Sequence, residues 1–131
     1  MAAGTTNYLN NAWLNTIKAT GTSYNVAGAI GVLLHTSTGP GSTGANTSSV
    51  TTRQSVTFLS STQSVLTQTG TPQWSSWAGT NGEVVTWVSF WDTTGTGGNM
   101  LWTAQLSSSK TINTGDTFTL SSSSLTITSA A

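Results

Sequence analysis

"VSFWDTTGTGGNMLWTAQL", residues 88–106, reads as two apolar, aromatic strands joined by a loop of Asp, Thr, Gly and Asn. Val88, Phe90, Met100 and Trp102 share one parity and are expected to face a core, while Trp87 and Trp91 point to the other side. The connection from Thr93 to Asn99 is too long for a two-residue hairpin turn. A fully buried aromatic ring contributes about 1.5–3 kcal/mol or somewhat more. Tryptophans on both sides of one hairpin therefore imply that both faces of its sheet are covered.

Outward from this hairpin the period remains that of strands. "NVAGAIGVLLHTS" carries Val26, Ile30, Val32 and Leu34 on one parity, and its small residues Ala27, Gly28, Ala29 and Gly31 leave room for another backbone or a large ring. "RQSVTFLSS" alternates at Val56 and Phe58, and "QSVLTQTG" suits a short partner strand. In "DTFTLSSSSLTITS" the residues Phe118, Leu120, Leu125 and Ile127 alternate with hydroxyls. Residues 38–50 and 71–83 have loop composition, the second carrying Trp74 and Trp77. One helix is predicted over about residues 6–20, with Tyr8, Leu9, Ala12, Trp13 and Ile17 as its apolar stripe, an Asn or Thr as N-cap, and Gly21 as stop. Lys18 would favour the negative end of its dipole. The stripe is expected to lie on an apolar surface. Six to eight short strands separated by turn residues predict a mainly β fold, an antiparallel β-sandwich or small barrel with one N-terminal helix. The 131 residues suffice for a single domain, its β part over about 26–129.

Composition narrows the function. The chain has three basic residues (Lys18, Arg53, Lys110), three acidic residues (Glu83, Asp92, Asp116) and one histidine, whereas an ordinary globular protein is about 25% charged. Ser and Thr together exceed a third of the residues, so the surface must be hydroxyl and amide. Six tryptophans argue for a folded chain. Three scattered cations cannot neutralise a phosphate backbone, which excludes nucleic acid as a partner. No run approaches the roughly 18 apolar residues of a membrane span. "MAAGTTNYLNN" lacks the basic start and apolar core of a signal peptide, so no membrane is expected and synthesis in a cytoplasm is. Without cysteine there is neither a disulfide framework nor a thiolate metal site. So little repulsive charge suits a subunit of an assembly.

The same scarcity limits chemistry. A Ser nucleophile with His35 as base would need Asp92 or Asp116 as the third member; the alternative is a strand-end or interface histidine. Asp92 and Asp116 both sit in turn sequences, where an Asx bond to backbone is the commoner role. "DTTGTGGN" offers too few clustered oxygen ligands for calcium, and neither Gly-rich stretch leads into a helix with a lysine, as a phosphate loop would. No catalytic residue, metal or cofactor is assigned. Arg53, the one cation in a strand, is read as an ion pair or a carbonyl clamp that fixes register. Trp74 and Trp77 either fold back over one end of the core or project as contacts for a protein partner or a sugar ring. With Tyr8 and Trp13 they form the set of candidate assembly or ligand contacts.

The order of motifs carries a resemblance. Trp91, Asp92, Gly97, Gly98, Asn99 and Leu101, then Leu106, Lys110, Ile112, Gly115, Asp116 and Thr117, then Leu125 to Thr128, follow a hairpin pattern F-D-x-x-x-G-G-N-x-L (with one residue more between Asp92 and Gly97), a segment L-x-x-x-K-x-I/V-x-x-G-D-T and a final L-T-I-T strand. This order resembles a family of small tailed-phage virion structural proteins, often labelled tail fibre, minor structural or decoration proteins. "TNYLNNAWLN", "LLHTS" and "TGANTSSVTTRQSVTF" are similar to its starting helix, first strand and "TGAN…YARQxVTF" segment. Trp91 replaces the usual Phe, and "TTRQ" lacks the aromatic before Ala-Arg-Gln. The resemblance implies no catalytic residues and a place in the virion, with synthesis in the bacterial host cytoplasm.

Two functions are expected on this basis. The favoured one is a capsid decoration or cement protein, a homo-oligomer with a trimer favoured, seated on the major capsid protein or other virion proteins. Low charge, compactness and the lack of a fibrous repeat support it. The alternative is a tail or head fibre component that adheres to host-surface glycans.

Overall fold

A computed structural model describes residues 3–17, 24–59, 61 and 64–127. Lys18 and Gly21, expected at the end of the helix, and Thr128, expected in the last strand, lie outside the described residues. The opening stretch forms the hairpin of β6 (Glu83–Trp91) and β7 (Met100–Ile112). β2 (Ile30–Thr36) pairs with the other edge of β6, β3 (Gln54–Val56) pairs with β2, and β1 (Gly4–Thr5) pairs with β7. The five strands give the order β1-β7-β6-β2-β3, every pairing antiparallel. Two short ribbons complete the β structure: β4 (Val65–Thr67) with β9 (Ser124–Thr126), and β5 (Gln73–Trp74) with β8 (Phe118–Thr119).

Register explains the core. Val32 lies opposite Phe90, Leu34 opposite Val88, and Phe90 opposite Trp102, which puts these residues on one face. Phe90 stacks on Trp102 with ring centres 4.5 Å apart and planes 11° from parallel, and Phe58 meets both rings edge-on. The β5–β8 ribbon and the residue after it add Trp74, Phe118 and Leu120 to the same buried cluster. The fold is thus mainly β and antiparallel, with a sheet faced by ribbons. Of the two expected architectures the barrel is excluded, because the sheet stays open between its end strands β1 and β3.

Two irregularities in the hairpin alter the expected faces. The register slips between Phe90 and Trp91, so Met100 comes opposite Trp91. A one-residue slip moves a side chain to the other face. Met100 therefore leaves the Phe90 cluster, against expectation, and lies along the outer side with Trp91. The second slip places Val85 opposite Lys110 but Trp87 opposite Gln105, so Leu106 to Ser109 bulge opposite the single residue Thr86. Ser107, Ser108 and Ser109 stand exposed there.

The small residues before β2 have a clear use at Gly31, where a Cβ would run into the carbonyl oxygen of Thr93. At Gly28 the added atom would meet nothing. The helix, α1 (Asn7–Ile17), starts at the N-cap Thr6, whose Oγ1 accepts from Leu9 N at 3.4 Å. Thr6 also ties the helix to β7, donating its N–H to Leu101 O at 2.8 Å and its hydroxyl to Met100 O. Its apolar stripe is only partly covered. Leu9 is buried and Trp13 packs against the core, but Tyr8 is 41% and Ile17 79% exposed. Leu14, outside the expected stripe, is 64% exposed. The tether at Thr6 seats the start of the helix and leaves its last turn standing off the sheet.

Trp102 Nε1 is buried with no acceptor among the described residues. Trp102→Ala should therefore cost about 3–5 kcal/mol in urea unfolding, as a large cavity opens beside Phe90. Trp102→Phe should cost clearly less, since it removes a polar atom that gains no bond on burial.

Candidate functional site

The outer side of the hairpin is built on polar contacts. His35, Trp87 and Ser89 share the face opposite Phe90, and His35 and Ser89 are fully buried. His35 Nδ1 lies 2.8 Å from the carbonyl oxygen of Ala45. A carbonyl only accepts, so Nδ1 carries the proton, and Nε2 accepts from the Ser89 hydroxyl at 2.7 Å. Ser89 Oγ in turn accepts from Trp91 Nε1 at 2.7 Å. Burial pushes the His35 pKa below its ordinary value, and the bonds to the Ala45 and Asn46 backbone only partly oppose this. The pair has the atoms of a nucleophile and base but no opening to a substrate; it holds the 38–47 loop on the sheet.

Arg53 extends the chain of contacts. Its guanidinium lies 3.9 Å from the centre of the Trp91 ring. From there Nη1 donates to the carbonyl oxygens of Thr93, Gly95 and Gly97 at 3.3, 2.8 and 2.7 Å. Of the two expected roles this is the carbonyl clamp. Asp92 closes the same loop: Oδ1 accepts from Asn99 N at 2.8 Å and Oδ2 from Asn99 Nδ2 at 2.9 Å. Gly98 must be glycine, since φ is +75° and a Cβ would strike Thr93 and Asp92.

The other two acids do similar work. Glu83 accepts from Ser48 Oγ, Ser49 N and Ser49 Oγ at 2.9, 2.8 and 2.8 Å. Asp116 Oδ2 accepts from Asn113 N at 2.9 Å, the turn role expected of it. Among the described residues no group of three or more His, Cys, Asp or Glu side chains is placed to hold a metal ion.

Trp74 and Trp77 fold back over the core, the first of the two placements expected of them. They do not project as contacts; their exposures are 3% and 1%. Trp74 Nε1 donates to Thr52 O at 2.8 Å and the ring packs on Phe118 at 5.6 Å. Trp77 Nε1 donates to Thr80 O at 3.2 Å, and its backbone bonds with Gly115 and Asp116. The gain from burying two indoles, each with its N–H satisfied, overrides the polar sequence around them. Trp13 is half-buried against the core.

Of the four candidate contacts, Tyr8 borders a surface hollow. The hollow, about 430 Å³, lies between the start of α1 and two loops, lined by Tyr8, Ser42, Thr43, Trp91 and Asn99 among others. A second, of about 340 Å³, adjoins it and shares Thr6, Asn7 and Ser42. No charged residue lines either. Tyr24 supports Tyr8 edge-on, ring centres 5.9 Å apart. Its own pKa is pushed up to about 12, by burial first and then by Tyr8 and Asp92, so it stays neutral. Sequence reading missed Ser42, Thr43 and Asn99 as site residues because three distant segments meet only in the fold.

Two outcomes follow from these contacts. The unfolded chain protonates His35 near pH 6.5 while the folded chain resists, so stability is full above that pH and is lost as pH falls below it. Urea unfolding should show stability falling as pH drops below about 6.5, with a slope of at most about 1.4 kcal/mol per pH unit, and His35→Gln should flatten it. Arg53→Lys should cost about 1–3 kcal/mol and speed amide hydrogen exchange in residues 93–97, because an ammonium cannot both stack on Trp91 and reach three carbonyls.

No curated protein sequence matches the chain. The family described as Podophage GP4 fiber I protein gp80 matches residues 4–128, which takes in α1, all five strands of the sheet, both ribbons and the loops that Arg53, Asp92 and Asp116 close. The chain belongs to this family, and with it to the structural proteins of the tailed-phage virion.

Proposed function

We propose that this chain is a non-enzymatic building block of a phage fibre, acting by binding alone. The observation that carries the reading is the match of nearly the whole chain to a family described by a fibre protein. Low charge and compactness suit a fibre segment as well as the expected capsid decoration on the major capsid protein, so they do not favour the shell. The three acids and Arg53 are engaged in holding loops, and the buried His35–Ser89 pair has no access, which accords with a purely structural part.

Self-association is the second half of the proposal, a homo-oligomer with a trimer favoured. Leu14 and Ile17, one turn apart on α1, are 64% and 79% exposed on a surface otherwise rich in hydroxyls. Copies of the chain joined through this strip would cover it.

Virions labelled with gold-conjugated antibody should carry the protein on fibres, in far fewer copies than the shell has subunits; labelling spread over the capsid would overturn the fibre assignment. In sedimentation the wild-type chain should run as an oligomer, and Leu14→Glu with Ile17→Glu should return it to a monomer of unchanged melting temperature. A wild-type monomer at about 100 µM would rule out the assembly mode, given that standard protein interfaces hold well below that concentration.

A further inference from the structure

We propose that the pair of hollows between α1 and the loops at 40–43 and 92–99 is a binding groove for a neutral oligosaccharide. The inference rests on the fibre reading for its biological sense but not for its chemistry.

Three features of the groove point to this ligand class. Its walls hold no charge, which gives an anionic or cationic ligand no counter-ion. Its rim is instead a set of neutral donors and acceptors. Asn7, Ser42 and Thr43 are exposed, and Asn99 gives its Nδ2 to Asp92 while its Oδ1 makes no bond among the described residues. Carboxamides and hydroxyls on one rim match a ligand that presents hydroxyls in several directions, each able to donate and accept. The third feature is the pair of aromatic rings, Tyr8 and Trp91, which supply apolar faces for the C–H side of a sugar ring.

The rings are also held in advance. Trp91 is fixed by the Arg53 guanidinium at 3.9 Å from its centre and by Ser89 at its Nε1, and a Cβ at Gly44 would already press on its ring edge at 3.2 Å. Tyr8 is backed by Tyr24. Side chains already immobilised lose little freedom on binding, so a weak neutral ligand gains the full contact. The contacts that run from His35 to Arg53 thus present one ring at a chosen angle to the surface. Volumes of about 430 and 340 Å³ side by side suit a short chain of sugar units rather than a single small molecule.

The test uses the purified full chain and a panel of neutral oligosaccharides of hexoses and N-acetylhexosamines released from bacterial surface polysaccharides, with sulfated oligosaccharides as the charged comparison. Binding is read by tryptophan fluorescence and calorimetry. At least one neutral oligosaccharide should bind with a Kd below about 1 mM, and raising salt from about 50 to 500 mM should change this less than twofold. Tyr8→Ala and Thr43→Arg, both at exposed positions, should each weaken binding at least about tenfold with the melting temperature unchanged. Leu14→Glu, outside the groove lining, should bind as wild type. The proposal is overturned if no neutral member binds, if only the sulfated members bind, or if both groove substitutions leave affinity unaltered. None of these results bears on where the protein sits in the virion, so failure of the groove and failure of the fibre assignment are separate observations.

Discussion

Arg53 holds one end of this protein together. Its guanidinium joins three loop carbonyls on one side to the Trp91 ring on the other, and through Trp91 it reaches Ser89, His35 and the carbonyl of Ala45. Two loops far apart in sequence, 38–47 and 92–99, are thereby fixed to one sheet by a single series of contacts. Hydrogen bonds from a charged donor contribute about 1.5–3 kcal/mol each when well formed, and in such a series the losses are not additive. The chain has only two other cations, Lys18 and Lys110.

The acids follow the same logic. Glu83, Asp92 and Asp116 each bind backbone N–H or serine hydroxyl groups of a neighbouring turn. The few acids are put to use as loop closure, Glu83 and Asp92 half-buried and Asp116 at the surface. Most of the remaining surface is hydroxyl and amide, which can be contacted without strong salt dependence.

Much of this fold was legible in the sequence where one local rule decides the outcome. The alternation of Val88 and Phe90, of Val32 and Leu34, and the place of Trp102 follow from the two-residue period of a strand. Gly31 announces a close backbone approach, and Thr93 supplies it. Asp92 and Asp116 read as turn acids because Asn and Gly surround them. Met100 was misplaced because a single slip of register, set by the pairing of two strands, has no signature in either strand alone. For Trp74 and Trp77 the sequence leaves two placements open, because the polar residues around them describe the loop and not where its rings go. The helix stripe had the right period, but whether a stripe is covered depends on what lies beneath it. The groove was beyond reach, since residues 6–8, 42–43 and 91–100 come together only once the sheet has formed.

The clamp on the 92–99 loop has an evolutionary side. Arg53 grips Thr93, Gly95 and Gly97 by their carbonyl oxygens, a feature every amino acid possesses. Thr94 and Thr96, exposed between those anchors, are not read by it at all. The clamp therefore holds the path of the loop without regard to which side chains stand at these two positions. A virion protein built in this way can change the texture of its surface at two positions without renegotiating its fold.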